Sequence, residues 1–251
     1  MAKKTESKSK RQLIKEQRDK RQRQQRLVWI LVIAGAAILV AALLIVPSIQ
    51  RAAAPVGEVI PITPVARPQT DKTVLGDPAA PVLIEVWSDF QCPACRIFAE
   101  DIEPQVVENY VASGKARFVY RHFPFLDDAS IIKESDQAAN ASMCAADQNR
   151  FWDYHDILFA NWNGENGGAF SDRRLVAFAE SIGLDLNQFN SCFKDNSFKA
   201  QINQDLQDGT NAGVDGTPSV FVNGLQLTPG KVPSYQDVAA AIDSALASSG
   251  N

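Results

Sequence analysis

Apolar and polar positions follow two periods along the chain, and the change from one to the other separates its elements. Apolar runs predict three strands, at 82–87, 116–122 and 218–222. The dipeptide Asn223-Gly224 follows the last run and predicts a tight hairpin turn with a short partner strand at 225–227.

Apolar residues three and four positions apart predict helices in the rest of this part of the chain. A helix is expected from Cys92 onwards, and Pro104 should interrupt it because proline lacks the N–H that a helix interior needs. Further helices are predicted over 129–148, 150–162, 171–182, 186–194, 197–212 and 234–247. The order is therefore strand, helix, strand, a long helical region, hairpin and helix.

The longest apolar run precedes these elements. Leu27–Val46 contains twenty residues without a charge, about the length that a helix needs to cross a bilayer. Residues 1–26 before it carry eleven Lys/Arg and three Asp/Glu. This asymmetry predicts a single-pass signal anchor with a basic cytoplasmic tail at 1–26 and the rest of the chain outside. The alternative is a cleavable signal peptide, with Ala52-Ala53-Ala54 as its cleavage site.

Composition divides the remainder into two parts. Residues 47–72 contain five prolines and predict an extended linker. Residues 73–251 are expected to form one globular domain, with a helical insert at about 125–213. Beyond residue 26 the chain carries fourteen basic and twenty-six acidic residues, which argues against nucleic-acid binding.

The candidate chemistry lies in Cys92-Pro93-Ala94-Cys95, at a strand-to-helix junction. Pro93 suits the first helical position, which places Cys92 at the N-cap. Backbone N–H groups and the positive end of the helix dipole stabilise a thiolate there and lower its pKa. We therefore predict Cys92 as the attacking thiol and Cys95, one turn further on, as the buried resolving thiol.

A structural zinc site is the competing explanation for such a cysteine pair. Zinc requires four ligands, usually in two close pairs, whereas Cys144 and Cys192 are far apart in the sequence and only two histidines are present. The sequence therefore predicts neither a bound metal nor an organic cofactor.

Taken together, these motifs resemble those of the DsbA-like thioredoxin-fold thiol–disulfide oxidoreductases, in particular the membrane-anchored bacterial type. The resemblance covers about 73–248 and depends on five segments in this order: Gly76-Asp77-Pro78 with Ala80-Pro81-Val82, then 88–95, 118–124, 151–156 and 216–224. It implies an α/β thioredoxin fold with a helical insertion, preceded here by a single transmembrane helix.

The same resemblance assigns residues around the cysteines. It implies that Pro218 follows a cis peptide bond and faces Cys92, and that the backbone of Thr217 pairs with an incoming substrate strand. Phe90 and Pro93 complete the expected substrate-binding set. The alternatives are a trans proline that opens a strand and, for Phe90, packing in the core.

One position departs from the pattern of the family. Many relatives have an acidic residue six positions before the first cysteine, where this chain has Val86. The nearest acid is Glu85 on the opposite strand face, so either Glu85 or water is expected to assist proton transfer. The Pro-Ala dipeptide between the cysteines lacks an imidazole, which implies a less extreme thiol pKa and a less oxidising disulfide.

The other two cysteines, Cys144 and Cys192, fall in predicted helices of the insert. Outside the cytoplasm a disulfide can persist, and only a Cys144–Cys192 pairing leaves the redox pair intact. Such a bridge would close a loop of about 49 residues and contribute roughly 4 kcal/mol. A second redox pair and two buried free thiols are the alternatives, and His122 and His155 are expected to be packing residues.

These observations predict an extracytoplasmic thiol–disulfide oxidoreductase at the bacterial cell membrane, anchored through Leu27–Val46. It would oxidise cysteine-containing secreted or membrane proteins through Cys92 and Cys95. A membrane protein of the DsbB or vitamin K epoxide reductase (VKOR) type would reoxidise it, as the family implies. The alternatives are a thiol reductase, for example in cytochrome maturation, and a non-catalytic peptide-binding or chaperone module.

Overall fold

The computed structural model describes residues 10–53, 56–127 and 133–249, which fall into two units, Met1–Ala54 and Pro55–Asn251. The described part of the first unit is one helix, α1 (Lys10–Ala53). Within α1, Lys20–Leu43 is long and apolar enough to cross a membrane by length and composition. This overlaps the predicted anchor, and a signal sequence meets the same criteria. The predicted cleavage site reaches Ala54, outside the described residues.

A five-stranded mixed sheet is the centre of the described second unit, with the order β1-β3-β2-β4-β5. Only β2 and β3 are parallel to each other, and the other pairs are antiparallel. The strands are β1 (Val74–Leu75), β2 (Val82–Ser88), β3 (Ala116–His122), β4 (Ser219–Val222) and β5 (Leu225–Gln226). The sequence predicted all of them except β1, which is too short to show a period.

The predicted hairpin between β4 and β5 is confirmed. Asn223 and Gly224 have φ angles of 47° and 81°. A two-residue turn that follows the twist of its strands needs positive φ at both positions, and asparagine and glycine tolerate it best.

The helix that follows β2 is interrupted as predicted. It consists of α2 (Pro93–Ile97), a π-helical turn (Phe98–Ile102), α3 (Glu103–Val106) and a second π-helical turn (Val107–Val111). Pro104 lies in the first turn of α3, where its missing N–H costs least. The winding therefore changes on both sides of the short segment that contains the proline.

The predicted helical insert is present, followed by the final helix. Its helices are α4 (Glu134–Ala146), α5 (Phe151–Ala160), α6 (Asp172–Ser181), α7 (Leu186–Lys194) and α8 (Lys199–Asn211), and α9 (Tyr235–Ser249) follows the hairpin. The predicted start of the first insert helix at 129 lies outside the described residues. Gly183 ends the third of these helices as expected, with φ at 74°.

The two faces of the sheet pack against different partners. Successive side chains of a strand point to opposite faces, so Val86 and Ser88 share one face and Trp87 lies on the other. Val86 belongs to the main core, whereas Trp87 joins a small cluster next to α8. A Cβ at Gly209 in α8 would come within 2.6 Å of the Trp87 ring, so only glycine permits this close approach.

The second half of the predicted linker is part of the globular unit. The Asn161 side chain bonds both the N–H and the C=O of Ile60, each at 2.8 Å. Arg174 donates to the carbonyl of Val56, and Val59 and Ile62 pack against the core. Within the predicted linker 47–72, residues 56–67, called the strap below, therefore lie against the globular domain, because their backbone and apolar groups find partners there.

Candidate active site

Cys92 is the N-cap of α2, as predicted. Its φ and ψ are −74° and 122°, and Pro93 follows as the first helical residue. The N–H of Cys92 donates to the carbonyl of Asp89 at 3.0 Å. Backbone N–H groups at the start of the helix are therefore directed at its sulfur. Cys92 is 6% exposed and Cys95 is 1% exposed, and both are free thiols.

The strand that begins after Pro218 faces this sulfur. The Thr217–Pro218 peptide bond is cis, which confirms that prediction, and the Cys92 thiol donates to the carbonyl of Thr217 at 3.3 Å. A cleft of about 140 Å³ lies beside this contact, lined by Ala94, 215–219 and 230–232. Pro93 is exposed next to the cleft. The backbone of Thr217 therefore lies where an extended peptide could reach the thiol.

The environment shifts the pKa values of the two thiols in opposite directions. A hydrogen bond from Cys95 lowers the pKa of Cys92 to about 6, against the effect of burial, and contacts with Thr217 and the helix backbone add to this. Burial raises the pKa of Cys95 well above its ordinary value. One sulfur is therefore stabilised as a thiolate while its neighbour retains its proton, which is the division of roles that the sequence predicted.

Phe90 is a correction to the predicted substrate-binding set. It is 1% exposed, stacks on Tyr120 with ring centroids 5.3 Å apart, and contacts the ring of Phe159 at 5.2 Å. Its side chain is buried between the sheet and the insert and cannot form a lip for substrate. Core packing, which the sequence analysis gave as the alternative for Phe90, is therefore what the structure shows.

Glu85 is bound to other partners on the opposite side of the sheet. Its carboxylate lies 2.9 Å from Arg121, which also pairs with Asp205 at 3.4 Å. Val86, at the position where relatives have an acid, is 2% exposed and belongs to the core. The strand alternation thus directs Glu85 away from the face that carries the thiols.

Gln91 is a residue of the site that the sequence analysis missed. Its side chain is fully buried and donates to Ser135 at 2.8 Å and to Asp127 at 3.2 Å. The backbone carbonyl of Gln91 accepts from the indole N–H of Trp162 at 2.7 Å. These bonds tie the loop before Cys92 to the insert. A neutral polar residue inside an otherwise apolar run was the available sign of such a role.

Asp89 is a second buried polar residue in the same loop. It accepts from Ser135 at 2.7 Å and from the backbone of Gln91 at 2.9 Å and Leu126 at 3.2 Å. Burial nevertheless raises the pKa of Asp89 to about 7, because the lowering by these bonds is smaller.

The predicted structural bridge is confirmed. Cys144 in α4 and Cys192 in α7 form a disulfide with their Cα atoms 5.8 Å apart. The two histidines are buried among aromatic rings, 1% exposed each, as expected for packing residues. Within the described ranges, no group of three or more His, Cys, Asp or Glu side chains could hold a metal ion.

Comparison with known proteins identifies similar chains. A family model described as Thioredoxin matches residues 69–244. A protein of Bacillus cereus named a probable disulfide bond formation protein D is 28% identical over 176 residues, which is 68% of this chain and 77% of that protein. The structure of oxidised BdbD from Bacillus subtilis superposes with a TM-score of 0.63 at 23% identity, and covers 72% of this chain and 96% of that one.

A further similarity involves a much longer protein. The Na(+)/H(+) antiporter NhaA 3 of Salinispora tropica is 34% identical over 151 residues, which is 60% of this chain but 21% of the antiporter. The chain therefore spans about a fifth of the length of this relative.

Proposed function

The chain belongs to the thioredoxin family and has a DsbA-like helical insert, and from this premise we propose that it is a protein thiol–disulfide oxidoreductase that oxidises substrate thiols through Cys92 and Cys95. The observation that carries the proposal is the asymmetry of the pair. Cys92 begins a helix and touches the carbonyl before a cis-proline, while Cys95 is buried behind it.

Oxidation of a substrate begins with the Cys92–Cys95 disulfide. A substrate thiolate attacks the sulfur of Cys92, the bond to Cys95 breaks, and Cys95 leaves with the electron pair and takes up a proton. An extended substrate segment would pair with the backbone of Thr217 beside the cleft, next to the exposed ring of Pro93.

The second step releases the oxidised substrate. A second substrate thiolate attacks the substrate sulfur of the mixed disulfide, and Cys92 leaves as a thiolate. Its pKa of about 6 makes it a good leaving group near neutral pH. Two electrons have then passed from the substrate to the cysteine pair.

The oxidising direction is supported by two observations. A thiolate stabilised at Cys92 favours the reduced pair and therefore makes its disulfide a stronger oxidant. The similar Bacillus cereus protein is named for disulfide bond formation. The name of the antiporters is not carried over, because the match covers about a fifth of their length.

We place the catalytic domain outside the cytoplasmic membrane, with α1 as its anchor. The apolar stretch Lys20–Leu43 and the basic residues before it support this orientation. The substrates are then cysteine-containing secreted or membrane proteins. A DsbB- or VKOR-type membrane protein would accept the two electrons and restore the disulfide.

Trapping of substrates tests the proposal. In cells, the Cys95→Ser variant should accumulate mixed disulfides through Cys92, because the Cys92 thiolate attacks the disulfides of substrate proteins and no Cys95 thiol remains to displace the substrate from the adduct. Non-reducing electrophoresis and mass spectrometry would detect these adducts, and the matched Cys92→Ser variant should form none. A chain in which Cys92→Ser retains full cellular function is a peptide-binding module instead.

The direction of electron flow requires a second measurement. Equilibration of the wild-type pair with glutathione gives its reduction potential. A value near that of the strong oxidant DsbA, about −120 mV, supports the oxidase, and a value near that of thioredoxin, about −270 mV, supports the reductase.

A further inference from the structure

One side chain of the insert contacts the residues on both sides of the Cys92–Cys95 motif. The indole N–H of Trp162, which follows α5, donates to the backbone carbonyl of Gln91 at 2.7 Å. The guanidinium of Arg96 lies 5.6 Å from the centroid of the same ring, within the range of a cation–π contact. The insert therefore holds the redox motif from the residue before its first cysteine and from the residue after its second.

The bond from Trp162 acts on Cys92 through the backbone. The carbonyl of Gln91 and the N–H of Cys92 belong to one planar peptide unit. Trp162 binds the carbonyl side of this unit, and the backbone carbonyl of Asp89 accepts from its N–H at 3.0 Å. Rotation of the unit would break both hydrogen bonds. Its orientation and the start of the helix at Pro93 together fix where the Cβ of Cys92 points.

The side chain of Gln91 is held by the insert as well. It is fully buried, its amide donates to the hydroxyl of Ser135 in α4 at 2.8 Å, and its oxygen accepts from the backbone N–H of Asn166. An apolar side chain would fill this buried place without a requirement for direction, whereas each hydrogen bond has a preferred geometry. The amide of Gln91 therefore orients the loop and does more than fill space.

Ser135 closes a ring of hydrogen bonds at this loop. Its hydroxyl accepts from the side chain of Gln91 and donates to the carboxylate of Asp89 at 2.7 Å. The same carboxylate oxygen accepts from the backbone N–H of Gln91 at 2.9 Å. Asp89 and Ser135 are 2% and 1% exposed, so water does not compete for these bonds. The residue before Cys92 is thus fixed through its carbonyl, its N–H and its side chain.

The placement of Cys92 matters because of what lies in front of its sulfur. The thiol contacts the carbonyl of Thr217 at 3.3 Å, and the first N–H groups of α2 stabilise a thiolate only over a short range. A turn of the peptide unit before Cys92 would move the sulfur away from both.

We propose that Trp162 and Gln91 are positioning residues, through which the insert holds Cys92 at the start of α2 in the orientation that exchange requires. Both act through the backbone of the loop. The proposal deepens the proposed function and rests on it, since the exchange at Cys92 and Cys95 is the reaction that this orientation serves. The insert then takes part in the chemistry and does not only cover the sheet.

Alkylation of Cys92 by iodoacetamide tests this role, because its pH midpoint reports how well the thiolate is stabilised. The full-length chain in detergent is used, with the Cys92–Cys95 pair reduced and the Cys144–Cys192 bridge intact. Trp162→Phe keeps an aromatic ring and removes the indole N–H. We expect the midpoint to rise by about 0.5 to 1 pH unit, as for the loss of one hydrogen bond, because the freed peptide unit turns the sulfur away from the helix N–H groups.

The matched control is Trp87→Phe. The indole N–H of Trp87 also donates to a backbone carbonyl, that of Asp205 at 3.3 Å, but on the other face of the sheet. Both variants should lose stability in urea, whereas the alkylation midpoint of Trp87→Phe should stay at the wild-type value. Equal shifts in the two variants, or an unchanged or lowered midpoint in folded Trp162→Phe, overturn the proposal, because a general loss of packing would then explain the data.

A second variant decides if Trp162→Phe does not fold. Gln91→Met keeps the length of the side chain and removes its amide, and the midpoint should rise as well. Its control is Gln148→Met, because Gln148 donates to the carbonyl of Asp185 at 3.1 Å and accepts from its N–H at 2.8 Å, within the insert. This control should keep the wild-type midpoint. An unchanged midpoint in folded Gln91→Met overturns the proposal.

These measurements need neither a substrate nor an exchange partner, so they separate the two proposals. A raised midpoint in Trp162→Phe and Gln91→Met supports the placement of Cys92 by the insert even if Cys95→Ser traps no substrate. In that case the proposed function fails and the positioning stands. Trapping of substrates together with unchanged midpoints has the opposite meaning and overturns the positioning alone.

Discussion

The two cysteine pairs of this domain have the same side chains but lie in different structural environments. Cys92 and Cys95 lie three residues apart at the start of one helix, next to a cleft and a cis-proline. Cys144 and Cys192 lie 48 residues apart on two packed helices, and Cys144 is fully buried.

The difference shows that environment, not residue type, decides the chemistry of a cysteine. The first pair lies next to a cleft and has one thiol with a pKa of about 6 and one with a pKa well above the ordinary value. The second pair is bridged between α4 and α7 and joins distant parts of the insert. One pair therefore suits exchange and the other suits stabilisation.

Removal of the second pair should have the largest effect on stability. The double change Cys144→Ala and Cys192→Ala should lower the free energy of unfolding by roughly 4 kcal/mol, because the bridge closes a long loop. Urea unfolding followed by near-ultraviolet circular dichroism measures this. The exchange rate at Cys92 should stay within about twofold of wild type. A loss of exchange in the folded variant would mean that the two pairs are coupled.

The strap provides the next test, because its Arg67 lies 3.7 Å from Glu103 in α3, in the helical segment that begins at Cys92. Arg67 donates to both carboxylate oxygens of Asp156, at 2.8 and 2.9 Å, and is largely buried. Arg67→Met should lower the free energy of unfolding by about 3 kcal/mol, because it leaves the buried carboxylate of Glu103 and the half-buried carboxylate of Asp156 without their cation.

The control for this change is Lys72→Met. The Lys72 ammonium pairs with Asp147 at 3.6 Å, but both side chains are well exposed. Its loss should cost less than about 1 kcal/mol. Equal effects of the two variants in urea unfolding would show that the strap is not held by its buried ion pairs.

The smallest expected effect concerns the pKa of Cys92. With the Cys92–Cys95 pair reduced and the Cys144–Cys192 bridge intact, alkylation by iodoacetamide should follow the thiolate fraction of Cys92, with a midpoint near pH 6, and should slow as the pH falls below it. Cys95→Ala removes the hydrogen bond that lowers this pKa most, so the midpoint should move to about pH 7 or higher. Cys144 and Cys192 serve as the internal control, since bridged sulfurs are not alkylated. A wild-type midpoint near 8.5, that of an ordinary thiol, contradicts the assignment of Cys92.

Local pattern explains which parts of the fold could be predicted. The bounds of β3 and α7, the turn at Asn223-Gly224 and the N-cap position of Cys92 each depend on a few adjacent residues. Their periods and turn preferences are properties of the chain itself. The disulfide could be predicted as well, because only one pairing spared the Cys92–Cys95 motif.

Tertiary contacts decided the rest, because they depend on which element covers which face. Phe90 is equally apolar as a lip or as core, and only the packing of α5 against the sheet made it core. The strap looks like a spacer until Asn161, about a hundred residues away, binds its backbone. Glu103 shows no special spacing, and its burial next to Arg67 and His155 arises when the strap, the active-site helix and the insert meet. The sequence by itself determined the reactive thiol and its helix; long-range packing determined which acids surround it.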